Sequence, residues 1–114
     1  CIRDRFYSAR VFSDPLYAVG YATASSPLGP WEKSAENPIL KRTGRVSGPG
    51  HNTVALSPDG KEMFIVYHTH IRLDGGGDRE LSIDRMTISE SGGKISVKVA
   101  GPTRTPQPMP SCAK

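Results

Sequence analysis

Three groups of residues have types and spacing suited to chemistry. Gly48-Pro49-Gly50-His51-Asn52 takes the backbone through a tight bend and sets a histidine where a strand begins. An imidazole there offers one ring nitrogen to a metal or water while a neighbour fixes the other. A hydrogen-bonded structural histidine explains the same residue without a ligand. His68 and His70 stand two apart on a strand and share one face. That spacing suits two nitrogen ligands of a zinc ion, but Tyr67 and Thr69 suit a hydrogen-bonded strand end equally well. Asp74, Asp78, Arg79, Glu80 and Asp84 surround the run Gly75-Gly76-Gly77. Gathered carboxylates suit calcium, yet this run lacks the EF-hand order of ligands and its closing glutamate. They also suit glycosidic chemistry, which needs an acid and a base on opposite faces of a sugar. A solvated turn accounts for the cluster without either.

The elements that must position these groups are strands throughout. Residues 17–23 alternate large and small, which predicts a strand with Tyr17 and Tyr21 on one face. Ser26-Pro27-Leu28-Gly29-Pro30 breaks it as a turn. A short apolar strand is expected at 53–56, followed by the turn Ser57-Pro58-Asp59-Gly60, with proline where its fixed φ fits. Residues 61–71 then resume with β-branched and aromatic side chains. Beyond the glycine loop come strands at 81–88 and 94–99, separated by Ser91-Gly92-Gly93. The tail after Gly101 is too rich in proline for a ladder strand, because each proline removes a backbone donor. No segment carries a helical stripe. The pattern predicts an all-β fold: a sandwich, a barrel or propeller blades. Residues 53–99 have about the ~40–50-residue length of one four-stranded blade.

Composition narrows the function classes. With 114 residues the chain is one domain, 1–114. No apolar run approaches the ~20 residues of a membrane-spanning helix. The 15 Lys and Arg outnumber the 11 Asp and Glu, for a net charge of +4. These cations are dispersed and interleave with acids, not aromatics, which argues against a nucleic-acid groove. Twelve Gly and ten Pro fit a turn-rich chain. Cys1 and Cys112 lie near the two ends and could bridge within or between copies or remain thiols. They make no zinc motif. The abrupt opening Cys1-Ile2-Arg3-Asp4-Arg5 into strand-like sequence gives the expectation of a fragment.

Phe6-Tyr7-Ser8-Ala9, Tyr17-Ala18-Val19-Gly20-Tyr21-Ala22, Ser26-Pro27-Leu28-Gly29-Pro30-Trp31 and Asn37-Pro38-Ile39-Leu40 resemble consecutive stretches of glycoside hydrolase family 43. Gly48-Pro49-Gly50-His51-Asn52, Ser57-Pro58-Asp59-Gly60-Lys61, Ile65-Val66-Tyr67-His68, Ile83-Asp84-Arg85 and Gly101-Pro102-Thr103 continue the resemblance in family order. It implies antiparallel four-stranded blades, about two of a five-bladed β-propeller, from an inverting β-xylosidase or α-L-arabinofuranosidase. It also implies that the general base, the general acid and the pKa-tuning carboxylate lie upstream of Phe6. No catalytic residue is therefore assigned here, and Asp14, Asp74, Asp78, Glu80 and Asp84 are not promoted to fill the gap. By the same resemblance His51 reaches a central calcium, directly or through water, and Arg79 contacts the sugar that is cleaved. The expected partner is an arabinose- or xylose-containing saccharide. The rival reading is a non-catalytic carbohydrate-binding or structural partial propeller. Open blade faces carrying Tyr17, Val19 or Tyr21 with Phe64, Val66, Ile83 and Ile95 give the expectation of a homo-oligomer.

Overall fold

The structure is a computed structural model that describes residues 3–112. Every regular element among them is a strand: β1 (Arg3–Ala9), β2 (Ala18–Ala24), β3 (Glu32–Lys33), β4 (Ser47–Leu56), β5 (Met63–His70), β6 (Arg79–Ser91) and β7 (Lys94–Val99). They form two antiparallel sheets in sequential order, β1-β2-β3 and β4-β5-β6-β7. The second is a four-stranded meander of the expected kind. The first has three strands, and its third is only two residues long.

Turn chemistry joins the longer strands. Gly60, at φ 71°, donates its N–H to the Ser57 carbonyl (2.8 Å) and closes the β4–β5 hairpin. Gly92 and Gly93 both have positive φ (57° and 77°) at the β6–β7 turn, a conformation whose twist matches that of the flanking strands.

The period of two along β5 sorts its side chains. Ile65 and Tyr67 point to the core, while Phe64 lies on the opposite face beneath the Arg85 guanidinium, 5.0 Å from its ring centroid. The core forms where the two sheets face each other: Val19, Tyr21 and Leu40 meet Ile65, Tyr67, Met86 and Val97. Val19 and Tyr21 are therefore covered within the chain and leave no open face there, contrary to the expectation. Phe64 is likewise buried. Of the apolar residues expected to be open, Ile83 is exposed, joined by its neighbour Leu81.

Two boundaries differ from the sequence pattern. Tyr17 precedes β2 and packs towards β4, away from the face of Tyr21. β4 starts at Ser47, not Thr53, because Gly48-Pro49-Gly50-His51-Asn52 is itself a bulged strand, with register shifts on both sides of Gly50. Cys112 is exposed at the end of the described chain, and Cys1 lies outside the described residues, so the expectation of a bridge between them falls there.

The tail makes no ladder strand but is fixed by side chains. Asp84, buried on β6, accepts hydrogen bonds from the Tyr67 hydroxyl, the Thr103 N–H (3.0 Å) and the Thr103 hydroxyl (2.6 Å). Farther on, the Ser111 N–H donates to Glu62 (2.7 Å) and its hydroxyl to Asp59 (2.7 Å). These bonds hold Asp59 below its ordinary range; in Glu62 the Arg85 guanidinium does so first and Ser111 second.

Candidate functional site

The bulged start of β4 brings the candidate residues together. Gly48 takes φ 54°, and a Cβ there would collide with the His70 ring. A Cβ on Gly50 would collide with the Tyr17 ring. Both positions must be glycine because two rings pack flat on the backbone. The bend leaves His51 in the left-handed region at φ 52°, held by its N–H donating to the Ser8 hydroxyl on β1 (2.8 Å). Its side chain is exposed.

His68 and His70 do share a face of β5, and their rings stack at 6.1 Å with Tyr17 on the far side of His68 at 5.7 Å. His70 is fully buried, with Nδ1 3.2 Å from the Ser47 hydroxyl and Nε2 2.7 Å from the Phe12 carbonyl. Because a carbonyl only accepts, Nε2 carries the proton. His68 is half-buried, and its Nε2 is enclosed without a hydrogen-bond partner. Burial pushes its pKa down to about 4, with the charges of Arg79, His70 and His51 adding to the effect. The ring is therefore neutral above that pH.

Arg79 opens β6 directly opposite His70 in the ladder. Its Nε donates to the Gly77 carbonyl (3.2 Å), and its guanidinium lies 5.3 Å from the Phe12 ring centroid. His51, Thr53, Val66, His68, Arg79 and Leu81 line one cleft of about 410 Å³. The two residues singled out for sugar and cation thus face the same space. Sequence reading missed Phe12 and Tyr17 as parts of this site. Phe12 gave no signal, being an exposed aromatic in a loop. Tyr17 gave a misleading one, because its spacing from Tyr21 fits a strand face.

Most of the acids singled out in the sequence have partners of their own. Asp84 is saturated by Tyr67 and Thr103, Asp74 pairs with Arg72 (2.7 Å), and Glu80, at the rim of the cleft, pairs with Arg104 (2.6 Å). Asp14 accepts the Leu16 N–H (2.7 Å), and Asp78 is exposed in the glycine loop. Among the described residues no three His, Cys, Asp or Glu side chains converge as a metal would require. Calcium takes six to eight oxygens, and His51 offers a single nitrogen. The described residues do not fit a self-contained calcium site, and His68 with His70 makes no zinc site, since His70 spends both nitrogens on protein partners.

The model of the glycosyl hydrolases family 43 matches residues 6–93, a span that contains His51, His68 and Arg79. The chain belongs to family 43. This family 43 chain is 33% identical over 94 residues to the beta-D-galactofuranosidase xynD of Aspergillus niger, covering 82% of its own length and 27% of that protein. It is 38% identical over 80 residues to an extracellular exo-alpha-(1->5)-L-arabinofuranosidase of Streptomyces avermitilis, covering 63% of itself and 16% of the relative. Among solved structures, a thermostable family-43 glycoside hydrolase superposes with a TM-score of 0.86 at 49% identity, over 98% of this chain and 36% of the other. An endo-1,4-beta-xylanase from Bacteroides thetaiotaomicron gives 0.77 at 30% identity, over 88% and 34%. The chain therefore spans about a third or less of the relatives it matches. Its two antiparallel sheets are a partial propeller of the family 43 kind.

Proposed function

We propose that the chain forms the sugar-contacting wall of an inverting glycosidase that releases arabinose or xylose units, with Arg79 as the residue that meets the sugar. The supporting observation is the cleft that His51, His68 and Arg79 line together. A planar guanidinium whose two NH2 groups remain beyond the Nε bond to Gly77 suits adjacent sugar hydroxyls, and the apolar edges of Val66 and Leu81 suit a ring face. The pairing of Glu80 with Arg104 and the bonds of Asp84 to Tyr67 and Thr103 support a reading in which this wall binds the sugar and does not supply the acid and base. In the inverting mechanism those two groups stand roughly 6.5–9.5 Å apart to admit a water, and Arg79 would hold the sugar between them.

Titration of the 15N-labelled chain with L-arabinose and D-xylose tests the reading: Arg79 and His51 resonances shift, and Arg79→Ala loses the response. No shift at Arg79 with either sugar refutes it. Hydrolysis of 4-nitrophenyl α-L-arabinofuranoside and β-D-xyloside separates a wall without its own acid and base, which leaves both intact, from a chain that is catalytic unaided. The exposed pair Leu81 and Ile83 beside the cleft supports self-association of the chain. Light scattering that gives a dilute 12.3 kDa monomer removes that part of the proposal.

A further inference from the structure

Arg79 does not stand alone in the cleft, and the contacts that hold it lead back to a buried histidine. The His70 ring lies close against the Gly48 backbone, with the His68 ring 6.1 Å away, and both its nitrogens have partners. One of these, the Phe12 carbonyl, belongs to the loop that joins β1 to β2, fifty-eight residues earlier in the chain. Phe12 is half exposed (52%), which leaves its ring face open to a neighbour at the surface. Its neighbour is Arg79, whose guanidinium rests 5.3 Å from the ring centroid. Arg79 is in turn the residue directly opposite His70 in the β5–β6 ladder. The three contacts close a triangle: His70 to the Phe12 carbonyl, the Phe12 ring to Arg79, and Arg79 back to His70 through the sheet.

We propose that His70 is a positioning residue: by donating from Nε2 to the Phe12 carbonyl it sets the Phe12 ring as a platform under the Arg79 guanidinium. An arginine at a strand start has several free torsions, and its Nε bond to Gly77 fixes only one end. A cation over an aromatic face gains its attraction in one geometry, so the ring selects the rotamers that project into the cleft. Pre-setting that side chain removes ordering that a bound sugar would otherwise have to impose. The loop is also tied at Ser13 and Pro15, whose carbonyls accept the N–H groups of Gly76 (3.1 Å) and Gly48 (3.0 Å). Those bonds place the loop backbone at its middle and end; the His70 bond acts on the residue that bears the ring. The consequence for sugar binding rests on the role proposed above for Arg79, whereas the platform itself does not.

Two measurements on the 114-residue chain test the platform without a sugar. A long-range 1H–15N spectrum of the histidine rings is expected to show His70 protonated at Nε2; protonation at Nδ1 alone overturns the proposal, since Nε2 could not then donate to a carbonyl. The Arg79 Nε–Hε signal is expected to lie upfield through the ring current of Phe12, and to return to its ordinary position in Phe12→Leu and in His70→Leu. His70→Gln, whose amide can still donate to the carbonyl, is expected to keep part of the upfield shift. An unchanged Arg79 signal in folded His70→Leu overturns the proposal, and the tautomer measurement decides the matter if that variant does not fold. With sugar added, Phe12→Leu is expected to weaken binding about two- to fivefold, the worth of an exposed cation–π contact. A parent chain that shows the platform but ignores sugar refutes only the role of Arg79 as sugar contact.

Discussion

Asp84 is the residue on which the tail depends, and its removal is the most exacting test of how the second sheet is held. Its two carboxylate oxygens receive three donors: the Tyr67 hydroxyl and Thr103 N–H on Oδ2, and the Thr103 hydroxyl on Oδ1. Asp84 is inaccessible and Tyr67 almost so, with Thr103 half-buried beside them. A hydrogen bond to a charged group contributes about 1.5–3 kcal/mol, so Tyr67→Phe should cost about that much. Asp84→Asn keeps the shape: its oxygen can take the place of Oδ2, and its NH2 can donate to the Thr103 hydroxyl, which turns to accept. What is lost is the charge on the acceptor, at a cost of about 1–2 kcal/mol. Asp84→Ala leaves every donor unpaired beside a void and should cost about 4–5 kcal/mol, a large part of the ~5–15 kcal/mol available to a domain. Urea unfolding of the two single variants and of Tyr67→Phe/Asp84→Asn together should give a coupling energy of about 0.5–1.5 kcal/mol, the difference between a charged and a neutral acceptor for the Tyr67 hydroxyl. Gly101→Ala provides an independent perturbation, because a Cβ at that position would overlap the Asp84 carboxylate. Amide exchange at Thr103 should quicken in each variant. If Tyr67→Phe and Asp84→Asn each cost less than about 0.5 kcal/mol, the carboxylate is not the anchor and the reasoning fails.

Acid should destabilise the chain through His68: its folded pKa of about 4 lies below the ordinary 6.5, so the unfolded chain takes up the proton first. Stability is then fully present above about pH 6.5 and lost as pH falls towards 4; the shift sets a ceiling of about 3 kcal/mol, which partial exposure reduces to about 1–2. Urea unfolding at about pH 7 and about pH 4.5 should show a smaller difference in His68→Phe than in the parent; an NMR titration placing His68 near 6.5 contradicts this. Gly50→Ala should cost roughly 1–3 kcal/mol by thermal melting, from overlap with Tyr17, and Tyr17→Ala should recover part of that in the double variant. Calcium and EDTA should leave the melting temperature of the 114-residue chain within about 1 °C, because the described residues bring no three ligands together. A calcium-dependent rise would show oxygen ligands that side-chain geometry does not reveal.

What could be read from the sequence was what depends on neighbours in the chain. β-Branched and aromatic residues gave a strand at 61–71, found at 63–70, alternation gave the one at 94–99, and glycine and proline gave the turns at Gly60 and Gly92-Gly93. The ordered motifs from Phe6 to Thr103 led to the family. Strand β3 escaped because two residues, Glu32 and Lys33, have no periodicity to detect. The early start of β4 escaped because Gly48, Pro49 and Gly50 are poor strand formers by themselves; here they pair with the end of β5, with the rings of Tyr17 and His70 packed where side chains would stand. His51 and Arg79 could be singled out in the sequence, but what holds them could not: Ser8 lies forty-three residues from His51, and Phe12 approaches Arg79 only across the fold. Asp84 appeared as one acid among several near the glycine loop, and only burial separates it from the solvated Asp74 and Asp78.

The flat packing of Tyr17 on Gly50 and of His70 on Gly48 also sets an order of events in folding. His70 meets Gly48 as the β4–β5 hairpin closes, but Tyr17 covers Gly50 only when the β1–β2 loop has reached β4 from an earlier part of the chain. The local hairpins β5–β6 and β6–β7 close short loops and should form first, whereas the bulge that presents His51 waits for the longest closures. The part of the molecule that faces the cleft is thus the last to acquire its shape. Slowing the final step, for instance by shortening Tyr17, would leave a chain with its full complement of strands but no formed mouth.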